Sequence, residues 1–159
     1  MSPRKNDSAA RKKDSLRTWL RLLACENRIE QHLRSQFRRH FSVTLPQFDV
    51  LSELDHAGRP LTMSELSKEL MVSNGNITGV IDRLVKLRLV ARQRPAHDRR
   101  VQQIDLTDQG RSEFRRIARK HESWIGRLFA DLSQDEMREL QSLLLRARSS
   151  VNRGIESAA

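Results

Sequence analysis

The chain has 159 residues, of which 37% are hydrophobic and 4% aromatic, with no tyrosine. This length is enough to bury one hydrophobic core, and Leu, Ile and Val recur at helical spacings, so we expect an α-rich fold. Thirty Lys and Arg residues against twenty Asp and Glu residues give a formal net charge of +10, as is common in proteins that bind polyanions. Charge alone leaves nucleic acid, an anionic membrane surface and an unspecific basic surface open, so the positions of the charges must decide.

Several classes of protein are excluded by what the sequence lacks. No apolar run approaches the roughly 18 residues of a membrane span, and the basic amino terminus is not followed by the apolar core of a signal peptide. The five histidines form no H-E-x-x-H pair, and there is neither a phosphate-binding glycine loop nor a G-x-S-x-G motif. We therefore expect a cytoplasmic protein that is not an enzyme and that needs no metal, cofactor or membrane partner.

The amino-terminal part of the chain predicts a basic arm followed by two helices. Residues 1–13 (MSPRKNDSAARKK) contain almost no bulky apolar residue, and we expect them to be disordered. From Ser15 to about residue 43, apolar residues recur mostly at spacings of three, four or seven, which predicts one long amphipathic helix. Thr44 and Pro46 then have the pattern of a helix start, and this second helix should end at Gly58.

Residues 62–86 have the pattern of two short helices joined by a tight turn. Thr62 and Glu65 have the spacing of a capping box at the start of the first helix. After a turn over residues 71–73, the second helix has an apolar face and an opposite face that is polar and basic. Two short helices of this kind are typical of a helix-turn-helix.

The rest of the chain predicts a hairpin and two further helices. Residues 89–94 and 101–106 each predict a short strand, with PAHDRR as the turn of a basic β-hairpin. Thr107 should cap a helix that reaches about Leu132, and Ser133 with Glu136 repeats the capping-box spacing before a last amphipathic helix. The predicted fold class is therefore mainly α with a small β-hairpin wing: a winged helix-turn-helix between long terminal helices.

These elements and their motifs resemble the MarR family of winged helix-turn-helix transcriptional regulators. The resemblance covers roughly residues 15–152 and is most specific over residues 76–110, where DRLVKLRLVAR, DRR and LTDQG occur in the family's order and spacing. It implies a homodimer on double-stranded DNA, with dimerisation helices at residues 15–43 and 108–153 and a DNA-binding lobe at residues 44–107. It also implies a repressor that a small-molecule effector releases from a palindromic operator.

The second helix of the motif carries the side chains that reading DNA requires. Short polar side chains near a helix start can reach base edges in the major groove, and basic side chains can reach phosphates. We therefore expect DNA contacts from Ser73, Asn74, Asn76, Thr78, Arg83 and Lys86. In the wing, the resemblance implies that Asp98 steadies the hairpin and Arg100 enters the minor groove, with Arg94 and Arg99 on phosphates.

Two positions depart from the family's usual pattern. Gly79 stands where many members have an arginine, which removes a base or phosphate contact. Arg88 stands where many members have a glycine near the end of the same helix. Because glycine adopts a positive φ most easily, we expect the helix-to-strand turn to differ locally.

The resemblance also suggests where an effector binds. Family ligands often lie between the winged lobe and the dimerisation helices, and this region should offer apolar walls and a cation for an anionic ligand: Trp19, Leu22, Phe37, Arg38, Phe41 and Phe48. The first helix and SNGNITG are similar to regulators of hydroxycinnamate breakdown that sense aromatic acyl-CoA thioesters. The expected effector is thus an aromatic acid or its CoA thioester, and simple core packing is the alternative for each residue.

Two other readings of function remain open at this point. A ligand-independent architectural protein would bind many DNA sequences with similar affinity, whereas a regulator prefers its operator. Redox control through Cys25 would replace control by a ligand. Against it, the chain has no tyrosine that could activate the thiol, and a mid-helix cysteine is usually a packed hydrophobic residue.

Overall fold

The computed structural model describes residues 3–94 and 101–157, with only the backbone given for residues 3–9 and 74. The described residues are mainly helical with a small antiparallel sheet, which confirms the predicted fold class. The elements in chain order are α1 (Pro3–His40), α2 (Leu45–Ala57), β1 (Leu61–Thr62), α3 (Met63–Glu69), α4 (Asn74–Lys86), β2 (Val90–Gln93), β3 (Gln103–Leu106), α5 (Asp108–Leu128) and α6 (Gln134–Glu156).

Helix α1 is longer at its amino end than the sequence predicted. It begins at Pro3, so residues 3–13, expected to be disordered, are helical, and it ends at His40 rather than near residue 43. Ala, Arg and Lys are strong helix formers and proline suits the first helical position, so an existing helix can propagate through this segment. Every residue from 10 to 28 is exposed.

The helix starts of the DNA-binding lobe follow the predicted caps. The Thr44 backbone N–H donates to Gln47 Oε1 over 2.8 Å, and Pro46 lies in the first turn of α2. At the start of α3, the backbone N–H of Thr62 donates to Glu65 Oε2 over 2.7 Å, completing a capping box. Helix α2 ends at Gly58 with a φ of 63°, the left-handed conformation that glycine adopts at little cost.

The sheet contains one strand that the sequence did not predict. Its order is β1-β3-β2, with Leu61 opposite Ile104 and Val90 opposite Leu106. Strand β1 has only two residues and no hydrophobic alternation of its own, so only its pairing with β3 defines it. The two predicted hairpin strands are present but shorter, over 90–93 and 103–106.

The chain divides into two compact units, residues 1–121 and 122–159. The first contains a core of apolar side chains from α1, α2, α3, α4, the sheet and α5, in which Leu51, Leu54, Leu66 and Ile81 are fully buried. The second contains α6, whose Ser133 Oγ accepts from the Glu136 backbone N–H, as its capping-box spacing predicted. No residue of α6 is buried. Among the described residues, no helix is long and apolar enough to cross a membrane.

Candidate nucleic-acid interface

Helix α4 is held in the lobe by its apolar face and its start is capped. Ile77, Ile81 and Leu84 are buried, and α4 packs against both α2 and α3. The Ser73 Oγ accepts a hydrogen bond from the Asn76 backbone N–H over 3.3 Å. The hydroxyl of Ser73 is therefore engaged in capping the helix, which limits its role in reading a base.

The opposite face of α4 is exposed and brings most of the predicted DNA residues together. Asn76, Thr78, Arg83 and Lys86 are all exposed on this helix. Because 3.6 residues make one turn, Asn76 and Thr78 lie on opposite flanks of the exposed face, while Arg83 and Lys86 lie nearer its centre. Asn74 is the first residue of the helix, and its side chain lies outside what the structure describes.

Glycines occupy the part of the outward face where a long side chain would extend furthest. Gly75 and Gly79 are one turn apart, and a Cβ added at either position would meet no atom within 4 Å. The fold itself therefore does not require glycine there. Because these two positions have no side chain, another molecule can approach the helix backbone closely between Asn76 and Thr78.

An ion pair connects α4 to the hairpin. The guanidinium of Arg92, on β2, donates to Asp82 Oδ1 of α4, and Arg92 lies opposite Ile104 in the sheet. This pair neutralises the one acidic side chain of α4, which would otherwise repel phosphates. Sequence analysis missed it, because residues ten apart on a helix and a strand have no fixed spacing that signals contact.

The predicted wing residues are only partly within the described part of the chain. Arg94 is exposed at the end of β2, as a phosphate contact requires. Asp98, Arg99 and Arg100 lie outside the described residues, so their predicted roles as brace, phosphate contact and minor-groove probe stay predictions.

The turn between α4 and β2 keeps a left-handed residue although glycine is absent. Arg88 has a φ of 60°, so arginine adopts the conformation that glycine would favour. Two contacts hold this turn in place. The Thr107 Oγ1 donates to the carbonyl of Arg88 over 2.7 Å, and the backbone N–H of Gly110 donates to the same Oγ1 over 2.9 Å.

Gly110 is a position where the fold does require glycine. A Cβ at this position would lie 1.9 Å from the carbonyl oxygen of Leu89. The start of α5 thus packs directly on the backbone that leads into β2. This contact fixes the base of the hairpin.

The six predicted effector residues do not line one crevice in the chain. Phe37 is fully buried and Phe48 nearly so, with ring centroids 5.3 Å apart, while Trp19 is 57% exposed. Trp19 and Phe37 lie on the same helix, α1, and at a rise of 1.5 Å per residue they are about 27 Å apart. Phe41 and Arg38 are the accessible members of the group near the lobe, and Leu22 is exposed beside Trp19.

The buried phenylalanines form an aromatic cluster that includes a histidine. The ring of His121 lies 4.9 Å from that of Phe48 and 6.0 Å from that of Phe37. Burial in this cluster lowers the pKa of His121 below its ordinary value, which favours the neutral ring. The guanidinium of Arg116 lies 4.9 Å above the ring of Phe41, so this edge of the cluster carries a positive charge.

No alternative chemistry emerges from the described residues. Within residues 3–94 and 101–157, no group of three or more His, Cys, Asp or Glu side chains is arranged to hold a metal ion. Cys25 is exposed on α1 rather than packed, contrary to the usual behaviour of a mid-helix cysteine.

Comparison with known proteins agrees with this geometry. A family model described as MarR family matches residues 41–101. An HTH-type transcriptional regulator of Bacillus cereus, described as uncharacterized, is 32% identical over 127 residues, covering 79% of this chain and 83% of the relative. The solved structure of AbsC, a MarR family transcriptional regulator from Streptomyces coelicolor, matches with a TM-score of 0.73 at 25% identity over 85% of this chain and 92% of AbsC.

A further solved structure is that of Streptococcus pneumoniae FabT in complex with DNA. It matches with a TM-score of 0.71 at 23% identity, covering 87% of this chain and 98% of FabT, and shows the same fold. A helix-turn-helix with an exposed polar second helix and an adjoining hairpin defines a winged helix DNA-binding protein. The chain belongs to the MarR family and is a DNA-binding transcriptional regulator, not an enzyme.

Proposed function

We propose that the chain is a homodimeric repressor that inserts α4 into the major groove of a palindromic operator. The observation that carries this proposal is the outward face of α4. It combines accessible backbone at Gly75 and Gly79 with polar side chains on either side and two exposed cations, Arg83 and Lys86. A major groove about 12 Å wide admits one helix of this kind, so the helix backbone can lie deep while Asn76 and Thr78 face base edges on either side.

The wing supports a second set of contacts. Arg94 follows β2, and Arg99 and Arg100 lie in the sequence between β2 and β3. Cations at the tip of a hairpin beside a reading helix suit the phosphates and the narrow minor groove next to the contacted major groove. The Asp82 pair with Arg92 supports the same proposal, because it ties the hairpin to α4 so that both can meet one DNA face.

Exposed apolar residues on the terminal helices support the homodimer. On α1, Leu16, Trp19, Leu20 and Leu23 are all more than a third exposed and lie on one face. On α6, Leu144 and Val151 are exposed in a stripe of their own. Large contiguous apolar patches on a protein surface usually mark an interaction site, and a second copy of this chain offers two matching stripes.

For the effector, the resemblance to hydroxycinnamate-responsive regulators supports an aromatic acid or its CoA thioester. The placement of the residues restricts this proposal to the accessible edge of the aromatic cluster. There Phe41 offers a ring, and Arg38 and Arg116 offer cations for a carboxylate. Phe37 and Phe48 support this edge from within the core rather than touching a ligand.

Selection of bound duplexes from a random pool tests the proposed function. The selection is made at about 150 mM salt and repeated with aromatic acids and their CoA thioesters. We expect a palindromic motif with half-sites about one helical turn apart, roughly 34 Å, that is lost when one ligand is added. Recovery of duplexes without a common motif would instead identify a ligand-independent architectural protein.

A further inference from the structure

The DNA-binding lobe contains a cavity that does not involve any of the predicted effector residues. It measures about 370 Å³ and lies between α2, the turn after α3 and the first turns of α4. Its walls are mostly apolar: Val50, Leu70, Val72, Ile77 and Val80. Small-molecule sites in proteins usually have volumes of about 300 to 1,000 Å³ and apolar walls with a few polar groups. The size and the lining of this cavity fit that description.

The only charged side chain that lines the cavity among the described residues is the carboxylate of Asp49. Burial by the surrounding protein raises the pKa of Asp49 to about 6, against the opposing effect of Arg34, although the side chain stays accessible to solvent. Arg34 is itself engaged by Glu30, whose Oε1 accepts from Arg34 Nη2 over 2.6 Å and from Nε over 3.0 Å. Within the described part of the chain, no group donates a hydrogen bond to Asp49. Its carboxylate oxygens can therefore accept hydrogen bonds from a ligand.

The wall at the turn between α3 and α4 is held in place in a strained conformation. Met71 has a φ of 52°, a left-handed conformation that side chains other than glycine rarely adopt, and it is 92% exposed. The Ser67 hydroxyl donates to the carbonyl of Val72 over 2.6 Å, which fixes Val72 at the cavity. Strained residues that the surrounding structure holds in place are typical of ligand sites, where they keep a pocket formed in advance.

We propose that this cavity binds a small organic cation, an apolar amine whose ammonium group pairs with Asp49 and whose hydrocarbon body lies against the apolar walls. A carboxylate on the wall of a mostly apolar cavity, with no hydrogen-bond donor among the described residues, favours a cation, because an ammonium group can donate charge-assisted hydrogen bonds to it. The same carboxylate disfavours anions. The cavity therefore selects a positively charged ligand, whereas the aromatic acid proposed to bind near Phe41 is negatively charged.

Binding in this cavity would act directly on the reading helix. Asn76, Ile77 and Val80 all belong to the first turns of α4 and line the cavity. This regulatory consequence rests on the proposed function, whereas cation binding does not. A ligand that binds more tightly to one position of α4 than to another changes DNA affinity by the ratio of these two ligand affinities. Such a ratio is typically 5- to 150-fold, or about 1 to 3 kcal/mol.

Isothermal titration calorimetry with benzylammonium tests the site, with neutral benzyl alcohol as the uncharged probe. The titrations are made near pH 8, where Asp49 is ionised because its pKa is about 6. We expect wild type to bind benzylammonium, and Asp49→Asn to weaken this binding at least tenfold while leaving any binding of benzyl alcohol unchanged. Val72→Phe, which fills the cavity but keeps the carboxylate, should also abolish binding. Asp55→Asn, an exposed carboxylate of the same helix outside the cavity, should not weaken it.

Equal binding of benzylammonium to wild type and Asp49→Asn, or no binding to wild type, would overturn the proposed site. Fluorescence anisotropy with a selected duplex then tests its consequence, and we expect saturating benzylammonium to weaken binding by wild type at least fivefold but not by Asp49→Asn. An unchanged DNA affinity in wild type would overturn control of α4 by this cavity. If the chain selected no duplex at all, the proposed function would fail, and calorimetry alone would still decide the site.

Discussion

The DNA-binding lobe buries apolar residues of its helices, whereas the last helix, α6, leaves its apolar residues exposed. In the lobe, α4 buries Ile77, Ile81 and Leu84 within its own chain. In α6, which has a comparably amphipathic pattern, no residue is buried and Leu144 and Val151 remain exposed. An amphipathic helix is stabilised mainly by covering its apolar face. The contrast supports the proposed homodimer, in which a second copy covers the apolar face of α6.

The largest effect is expected from a charge placed on the apolar stripe of α6. Leu144→Glu should convert the proposed dimer to a monomer, because it would bury a carboxylate in an apolar interface. Loss of the second lobe should weaken operator binding by about 100-fold or more, since two linked half-site contacts reinforce each other. Sedimentation velocity and fluorescence anisotropy measure the two effects.

Leu145→Glu is the matched control for this experiment. Leu145 is also exposed, but one residue further along α6 places it about 100° around the helix, away from the stripe. We expect this variant to remain dimeric. Monomers in both variants, or dimers in both, would show that the stripe is not the interface.

The tight packing of the lobe predicts a large loss of stability at the base of the wing. Gly110→Ala would bring a Cβ to 1.9 Å from the carbonyl oxygen of Leu89, so backbone must shift. We expect a loss of about 2 to 3 kcal/mol in the free energy of unfolding, toward the upper end for overpacking. Urea denaturation measures it.

Gly126, near the other end of α5, is the comparison position for Gly110. A Cβ there would meet no atom within 4 Å, so Gly126→Ala should stabilise by about 0.5 to 1 kcal/mol through higher helix propensity. A similar sign for both substitutions would contradict the difference in packing between these two parts of α5.

The outward face of α4 predicts a smaller and sequence-independent effect on DNA binding. Arg83→Gln should weaken all duplexes about equally and reduce the magnitude of the salt slope, d log K/d log [salt], by about 1, as expected for the loss of one phosphate contact. Arg115, exposed on α5, serves as the matched position in Arg115→Gln. Fluorescence anisotropy titrations at several salt concentrations distinguish the two variants. Equal salt slopes for both would remove Arg83 from the interface.

The smallest effect is expected at the turn after α4. Arg88→Gly should raise the free energy of unfolding by about 0.5 to 1 kcal/mol, because glycine adopts a φ of 60° without the steric cost that arginine bears. Arg83→Gly, in the interior of the same helix, should instead lower it by about 1 kcal/mol. Thermal unfolding of both variants checks the signs, and destabilisation by Arg88→Gly would show that the side chain of Arg88 contributes more than its backbone costs.

Local sequence patterns predicted the lobe well because they act over a few residues. The caps at Thr44 and Thr62, like that of Ser133 on α6, lie within four residues of the groups they satisfy, so each can be predicted from spacing. The outward set on α4 follows from the helical period in the same way. By contrast, α5 ends at Leu128 instead of near Leu132, an end that the local pattern did not predict.

The candidate site was only partly predictable for a related reason. Nothing in the sequence links Asp82 with Arg92, or Asp49 with Val72 and Val80, because these contacts join different elements. Trp19 and Phe37, which the prediction groups in one ligand site, lie on one helix about 27 Å apart at 1.5 Å per residue, so one chain does not bring the two side chains together.

The sequence by itself determined the starts of α2 to α6, the apolar faces, the exposed polar and basic face of α4 and the hairpin, since periodicity and capping depend on neighbours along the chain. The tertiary structure alone decided that β1 pairs with β3, that Arg88 adopts a left-handed turn, and that Asp49 lines a cavity beneath α4. These features depend on which distant residues pack together. Packing is a property of the whole core, whereas periodicity is a property of a single element.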